Sequence, residues 1–237
     1  MLLDCGMRIG IRPDAHLHGG VAANATMHGY TMLKFVVDRG LLALPTGNTQ
    51  EDVSAVLAAI RGQDLLSLKF LFEKGVRIPP NEQESVLDDV FYQNATLDTT
   101  REMLDALLSH EVDINAPDFI GYTCVYRNLG PRKKEYLTLL FDRGADPLHH
   151  DNEGQSPLYV AAVKGHVELV RIILESIDLC HVSTDMLRIE LWEAIQQASR
   201  RESWKVVRLL ERYRHDHGLD TLPREYRMTV SKTQGLK

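Results

Sequence analysis

Histidine pairs are the first feature of this sequence that could do chemistry. His16 and His18 stand two apart, as do His215 and His217; His149 and His150 are adjacent, and Cys180 precedes His181. Such pairs could hold a transition metal, but a structural zinc site needs a spacing such as C-x2-C with H-x3-5-H, and none is present. These residues are read as surface or capping groups. Nucleophilic catalysis fares no better, since no Gly-x-Ser-x-Gly elbow occurs. Cys124 falls where a helix packs inward, so it reads as a small buried hydrophobe rather than an activated thiolate. Gly19-Gly20 lacks the Gly-x-x-x-x-Gly-Lys context of a phosphate loop. Acidic residues are plentiful, but no acid-base pair stands out. No catalytic residue, metal or cofactor is expected.

The elements that carry these residues follow a repeat. Apolar runs ending in charged residues and usually Gly recur in MLLDCGMRI from Met1, FVVDRGLL from Phe35, FLFEKGVRI from Phe70, LLSHEVDIN from Leu107 and LLFDRGADP from Leu139. The closing marks Gly6, Gly40, Gly75, Glu111 (Gly replaced) and Gly144 lie 34, 35, 36 and 33 residues apart. Gly at a helix C-terminus adopts the left-handed cap without a Cβ penalty. Weaker copies follow near Ile177 and Arg214. A first helix precedes the second helix of a complete unit, clearest at Ser156-Pro157-Leu158-Tyr159-Val160-Ala161-Ala162. There Ser156 can cap while Pro157 occupies the first helical position. Gly165-His166 breaks the chain before a second helix opens at Val167, with Glu168 in its first turn, where the helix dipole favours a carboxylate. Glu135 and Glu102 take the position of Glu168 in earlier copies.

These residues resemble the ankyrin repeat family, whose unit is about 33 residues with a T-P-L-H-x-A signature. The resemblance is close over 118–175, recognisable over 11–114 and weak over 183–215. It implies an all-α, ankyrin-type solenoid of helix-turn-helix units joined by β-hairpin loops, with no cofactor. About five to six units, the first truncated, are expected over 1–215, with a flexible polar tail over 216–237. Two departures stand out: an acidic insertion from Glu82 to Asp89, where a Thr-Pro pair belongs, and Arg127-Asn128-Leu129 in place of small residues. The insertion and the N-terminal face are expected to exchange amide protons fastest, and 118–175 to resist unfolding longest.

The family resemblance places partner contacts on the hairpin tips and the exposed side of the first helices. One tip then holds Ala116, Pro117, Asp118, Phe119, Ile120 and Tyr122; the next holds His149, His150, Asp151, Asn152 and Glu153. Arg77 and Pro79 are candidates on an earlier one. Phe119, Ile120 and Tyr122 stand where small polar residues are usual, as anchors for a partner or folded back on a neighbour. Substituting Phe119 and Tyr122 together is expected to weaken partner binding without unfolding the array. Leu107 followed by Asp113-Ile114-Asn115 resembles the pattern at which ankyrin arrays are hydroxylated on Asn by an Fe(II) oxygenase. The alternative is that Asn115 bonds across its own turn, and a one-oxygen mass shift would separate the two.

Charge and length agree with a binding module. The 237 residues are 44% apolar with a formal charge of −6 and a pI near 5.9, giving no reason to expect nucleic-acid binding by the whole body. From Arg200 onward, however, ten Lys/Arg face five Asp/Glu, against 17 and 28 in the remainder. Three separated cysteines imply no disulfide framework. No signal peptide or membrane span is evident, so a cytoplasmic or nuclear protein is expected. The chain starts within a second helix, which suggests a piece of a longer array. Protein-protein recognition is the expected function; the alternatives are a recruiting or regulatory fragment of a larger protein, such as a ubiquitin-ligase adaptor, or an enzyme betrayed by a melting shift with metals or nucleotides.

Overall fold

Apolar residues at three- and four-residue spacing, punctuated by capping groups and left-handed turns, break this chain into short helices. The computed structural model describes residues 20–92, 95–130, 133–177 and 182–221. Expectations for Met1–Gly6, Cys5, His16, His18, Cys180, His181 and the tail beyond Thr221 lie outside them. The described residues form twelve α-helices in six consecutive pairs and no strand. The chain divides into two units, Met1–Asp113 and Ile114–Lys237.

Unit 1 contains α1 (Gly20–Met27), α2 (Tyr30–Asp38), α3 (Thr49–Arg61), α4 (Leu65–Glu73), α5 (Gln83–Tyr92) and α6 (Leu97–Leu108). First helices pack as α1 on α3 on α5, and second helices as α2 on α4 on α6. Ala22, Ala23 and Ala25 on α1 are buried, as are Val53, Ala55, Val56 and Ala59 on α3. Small side chains at this contact let the two axes approach closely. Asn48, Asp64 and Thr96 cap α3, α4 and α6 through their side chains.

The stretch Glu82–Asp89 is not an insertion. A single 3-10 turn over Pro80–Glu82 leads into α5, whose Val86, Leu87, Val90 and Phe91 are buried. The acidic residues Glu82, Glu84, Asp88 and Asp89 are half-buried on and before an ordinary first helix, with Asp89 paired to Arg61 at 2.7 Å, so fast exchange there loses its premise. Gln83, also buried, reaches across the repeat: its Oε1 accepts the Asp113 N–H at 3.0 Å. Glu102 is likewise not in a first turn, because α6 begins at Leu97 and Asp98 is its first-turn acid.

Glu111 keeps the backbone conformation of the glycines it replaces. Its φ is +66°, beside +68° at Gly40, +91° at Gly75 and +89° at Gly144. The left-handed closing turn is therefore set by the fold even where a Cβ makes it costly.

Asp64 joins two repeats. Its Oδ1 accepts the Ser67 N–H at 3.0 Å, and its Oδ2 accepts the Ser67 hydroxyl at 2.6 Å and the Tyr30 N–H at 2.8 Å. Burial pushes this carboxyl up, but the hydrogen bonds from Ser67, Tyr30 and Leu66 outweigh it, and the net shift is downward. A depressed folded-state value gives stability that is full above the unfolded pKa and lost as pH falls through the folded one. Asp64→Asn is therefore expected to flatten the acid limb of unit 1, read by amide exchange of Tyr30–Glu73 peptides between about pH 5 and about 2.5. An acid limb identical to that of the parent protein would remove Asp64 from the account.

Unit 2 contains α7 (Cys124–Arg127), α8 (Lys134–Asp142), α9 (Pro157–Val163), α10 (Val167–Ser176), α11 (Thr184–Arg200) and α12 (Trp204–Asp216). Here α9 packs on α11 in one layer, and α8 on α10 on α12 in the other. The four-residue α7 is short because Asn128, fully buried, donates its side-chain amide to the Cys124 carbonyl at 2.8 Å. Cys124 is buried and its thiol lies 3.4 Å from the Ile114 carbonyl. At the other edge, α12 runs to Asp216 and Leu219 is 4% exposed, so packed structure extends past the expected boundary at 215.

Candidate interaction site on the paired tips of unit 2

The expected β-hairpins are single tight turns, each braced by an aspartate. Asp118 Oδ1 accepts the N–H groups of Ile120 at 2.9 Å and Tyr122 at 2.8 Å, while the Asp118 N–H donates to the Tyr122 carbonyl at 2.8 Å. One repeat later, Asp151 Oδ1 accepts from Glu153 and Gln155, both at 2.9 Å, and the Asp151 N–H donates to the Gln155 carbonyl at 3.0 Å. An Asx side chain that takes up turn N–H groups fixes the loop without a strand ladder. Gly121 and Gly154 close the two turns with φ of +87° and +76°. The shared signal is Asp-x-x-Gly, Asp118 to Gly121 and Asp151 to Gly154.

The tips are joined to each other. The Asn152 N–H donates to the Ile120 carbonyl at 3.1 Å, and the Asn152 side-chain amide donates to the Phe119 carbonyl at 3.0 Å. A Cβ built on Gly121 would lie 2.7 Å from the Asn152 nitrogen and 2.9 Å from the Asp151 Cα. Only glycine fits this close approach.

This geometry sorts the expected contact residues. Phe119 is 89% exposed, with no fold-back onto a neighbour, and Ile120 is 39% exposed. Pro117, Asn152 and Glu153 are exposed as well. Tyr122 is half-buried, stacked on Tyr126 with ring centroids 4.6 Å apart. Asp118 turns inward: its side chain is 6% exposed, and Oδ2 pairs with Arg127 at 2.9 Å. Asp151 is buried in its own turn, and Ala116 is buried too. Both aspartates are bracing groups, since a carboxylate holding two backbone N–H groups is not free for a partner. Arg77 and Pro79 belong to unit 1 and are no part of the tip pair.

The His149 backbone and the His150 side chain also serve the scaffold, while the His149 side chain is half-buried. The Tyr126 hydroxyl lies 2.5 Å from the His149 carbonyl and 2.6 Å from the Gln155 carbonyl. Burial, then the charge of Asp151, drives the Tyr126 phenol upward, so it stays a hydrogen-bond donor. His150 Nε2 bonds Glu190 on α11, whose other oxygen accepts the Ser156 hydroxyl at 2.6 Å. Ser156 Oγ in turn accepts the Tyr159 N–H at 3.1 Å, capping α9. The serine meets the carboxylate and not the imidazole, so the trio is not a nucleophile with its base. Thr123, which opens α7, makes no such cap, and its hydroxyl is without a partner among the described residues.

Asn115 bridges repeats rather than its own turn. Its amide donates to the Gly144 carbonyl at 3.3 Å, and its Oδ1 accepts the Asp146 N–H at 2.8 Å. The roles of Glu190 and Gln155, and the pairing of Arg127 with Asp118, leave no local signal in the sequence because each acts on a residue distant in sequence or inside a loop. Among the described residues no cluster of three or more His, Cys, Asp or Glu could hold a metal, and no helix is long and apolar enough to cross a membrane.

Comparison with known families matches the model for ankyrin repeats, in three copies over residues 124–220. No curated protein matches the chain. The match spans α7 to α12, all three helix pairs of unit 2, and contains the second braced tip. Helix pairs repeating at this period and the family match agree over residues 124–220, where the chain matches three copies of the ankyrin repeat.

Proposed function

We propose that unit 2 recognises a partner protein through its paired tips, with Phe119 as the anchor. Ankyrin repeats are in general protein-protein interaction modules and are typically not enzymes. The observation carrying this reading is an aromatic ring left 89% exposed on a turn whose backbone is held from both sides. An isolated exposed apolar residue needs no explanation, but a rigid one presented beside Ile120 and Pro117 is what interface centres use. Pre-ordering the loop also lowers the entropy lost on binding. Asn152 and Glu153 supply a polar rim. Recruitment of that partner on behalf of a larger protein is the finer reading that the same surface serves.

Phe119→Ala alone is the informative substitution, because changing Tyr122 as well would break its stack on Tyr126. Affinity for a captured partner is expected to fall by about 2 kcal/mol, roughly thirtyfold, with an unchanged melting midpoint. Partner recovery equal to that of the parent chain, with the fold intact, would displace the anchor from Phe119.

A further inference from the structure

A second surface of unit 2 carries charge of the opposite sign to the chain as a whole. Along α12, Lys205, Arg208 and Arg212 follow at a spacing that puts them on one side of the helix, with Leu209 and Tyr213 beside them. On the neighbouring α10, Arg171 and Leu174 face the same space. Between the two helices lies a groove of about 520 Å³ with an apolar floor of Leu174 and Leu209 and a basic rim. Its carboxylates, Glu175 and Asp216, leave a positive excess on a chain of net charge −6.

The rim charges are only lightly engaged. Arg171 lies 3.8 Å from Glu168 and Arg212 3.6 Å from Asp216, with side chains 49% and 83% exposed. Pairs so exposed contribute little and yield readily to a competing anion. Lys205 and Arg208 are exposed and pair with no carboxylate among the described residues. Clustered cations flanking a partly apolar trough raise the local concentration of an anionic ligand and reward one that also brings apolar side chains.

We propose that the groove between α10 and α12 binds an acidic peptide segment of a partner protein, its carboxylates on the rim and an apolar side chain on Leu174 and Leu209. The sequence from Leu222 to Lys237 holds four Lys/Arg and one Glu, so it has the same sign as the rim and is not the occupant. A nucleic acid would offer phosphates to the rim but leave the apolar floor of Leu174 and Leu209 unused. This surface is separate from the tips and stands whether or not Phe119 is an anchor.

The test is fluorescence anisotropy of the full chain with a labelled peptide in which Glu and Asp flank two leucines. A matched peptide with Lys at the acidic positions is the comparison. The acidic peptide is expected to bind and the Lys peptide not to bind. Lys205→Glu with Arg208→Glu is expected to weaken binding by at least about tenfold, more steeply at low salt, while Lys69→Glu, exposed on α4, leaves it unchanged. Both positions are exposed, and an unshifted thermal melt verifies folding; the Lys205→Gln/Arg208→Gln pair gives the same direction with a smaller loss. The proposal is overturned by no binding of the acidic peptide, by binding that survives the charge reversal, or by tighter binding of a DNA duplex or phosphatidylserine vesicles than of the peptide. Self-association of the chain abolished by the charge reversal would assign the groove to a second copy and equally overturn it.

Discussion

Gly121→Ala is expected to destabilise unit 2 by about 3 kcal/mol. Two costs add. A side chain at a φ of +87° sits in the left-handed region, which costs roughly 1–2 kcal/mol outside glycine. The new methyl would also meet backbone atoms of Asp151 and Asn152 at 2.7–2.9 Å, and backbone cannot swing aside as a flexible side-chain end can. Relief requires the two tips to separate, which breaks the bond from Asn152 to the Ile120 carbonyl. Gly154→Ala separates the terms, because that glycine has φ of +76° and nothing within 4 Å of the added carbon. It should cost only the conformational part, about 1 kcal/mol. The measurement is the urea midpoint followed through Trp192 and Trp204 fluorescence, with m-values compared. Equal losses from the two substitutions would mean that the close approach of the tips contributes nothing.

The second large effect is expected at Glu190→Ala, also about 3 kcal/mol. The carboxylate is 8% exposed and is the shared acceptor for His150 and Ser156, so alanine strands two polar groups and opens a cavity. The cap of α9 loosens too, since the Ser156 hydroxyl loses the acceptor that orients it. Glu190→Gln keeps the shape and one acceptor oxygen, and is expected to lose about 1 kcal/mol. Glu211, exposed on α12, supplies the surface comparison. If Glu190→Ala cost no more than Glu211→Ala, the buried relay from α11 to the second tip would have no energetic weight.

These two positions show how unevenly the sequence discloses its own structure. The closing glycines were legible because a left-handed cap constrains residue type directly, and Glu111 shows the constraint outliving the glycine. The helix over Gln83–Tyr92 is obscured in the sequence by its acids, although Val86, Leu87, Val90 and Phe91 are spaced for one helix face. Tip location followed from the family resemblance, but side-chain role did not. Asp118 and Asp151 looked like presented charges, although the repeated Asp-x-x-Gly already specified a turn that consumes them. Glu190 left no local trace, because its partners lie 34 and 40 residues away and only stacking brings them together.

Hydrogen bonds spanning one repeat recur in both units: Asp64 to Tyr30 and Gln83 to Asp113 in the first, Asn115 to Asp146 and Asn152 to Ile120 in the second. In a nearest-neighbour description of a repeat array, each belongs to the coupling between adjacent helix pairs and not to the stability of either pair alone. Apolar stacking spreads that coupling over many contacts, whereas these bonds concentrate part of it in single side chains. Cooperativity within each unit is thereby open to change one residue at a time. A chain that has lost one such bond can keep its average stability and yet begin to fray in steps, exposing a single helix pair while its neighbours stay folded.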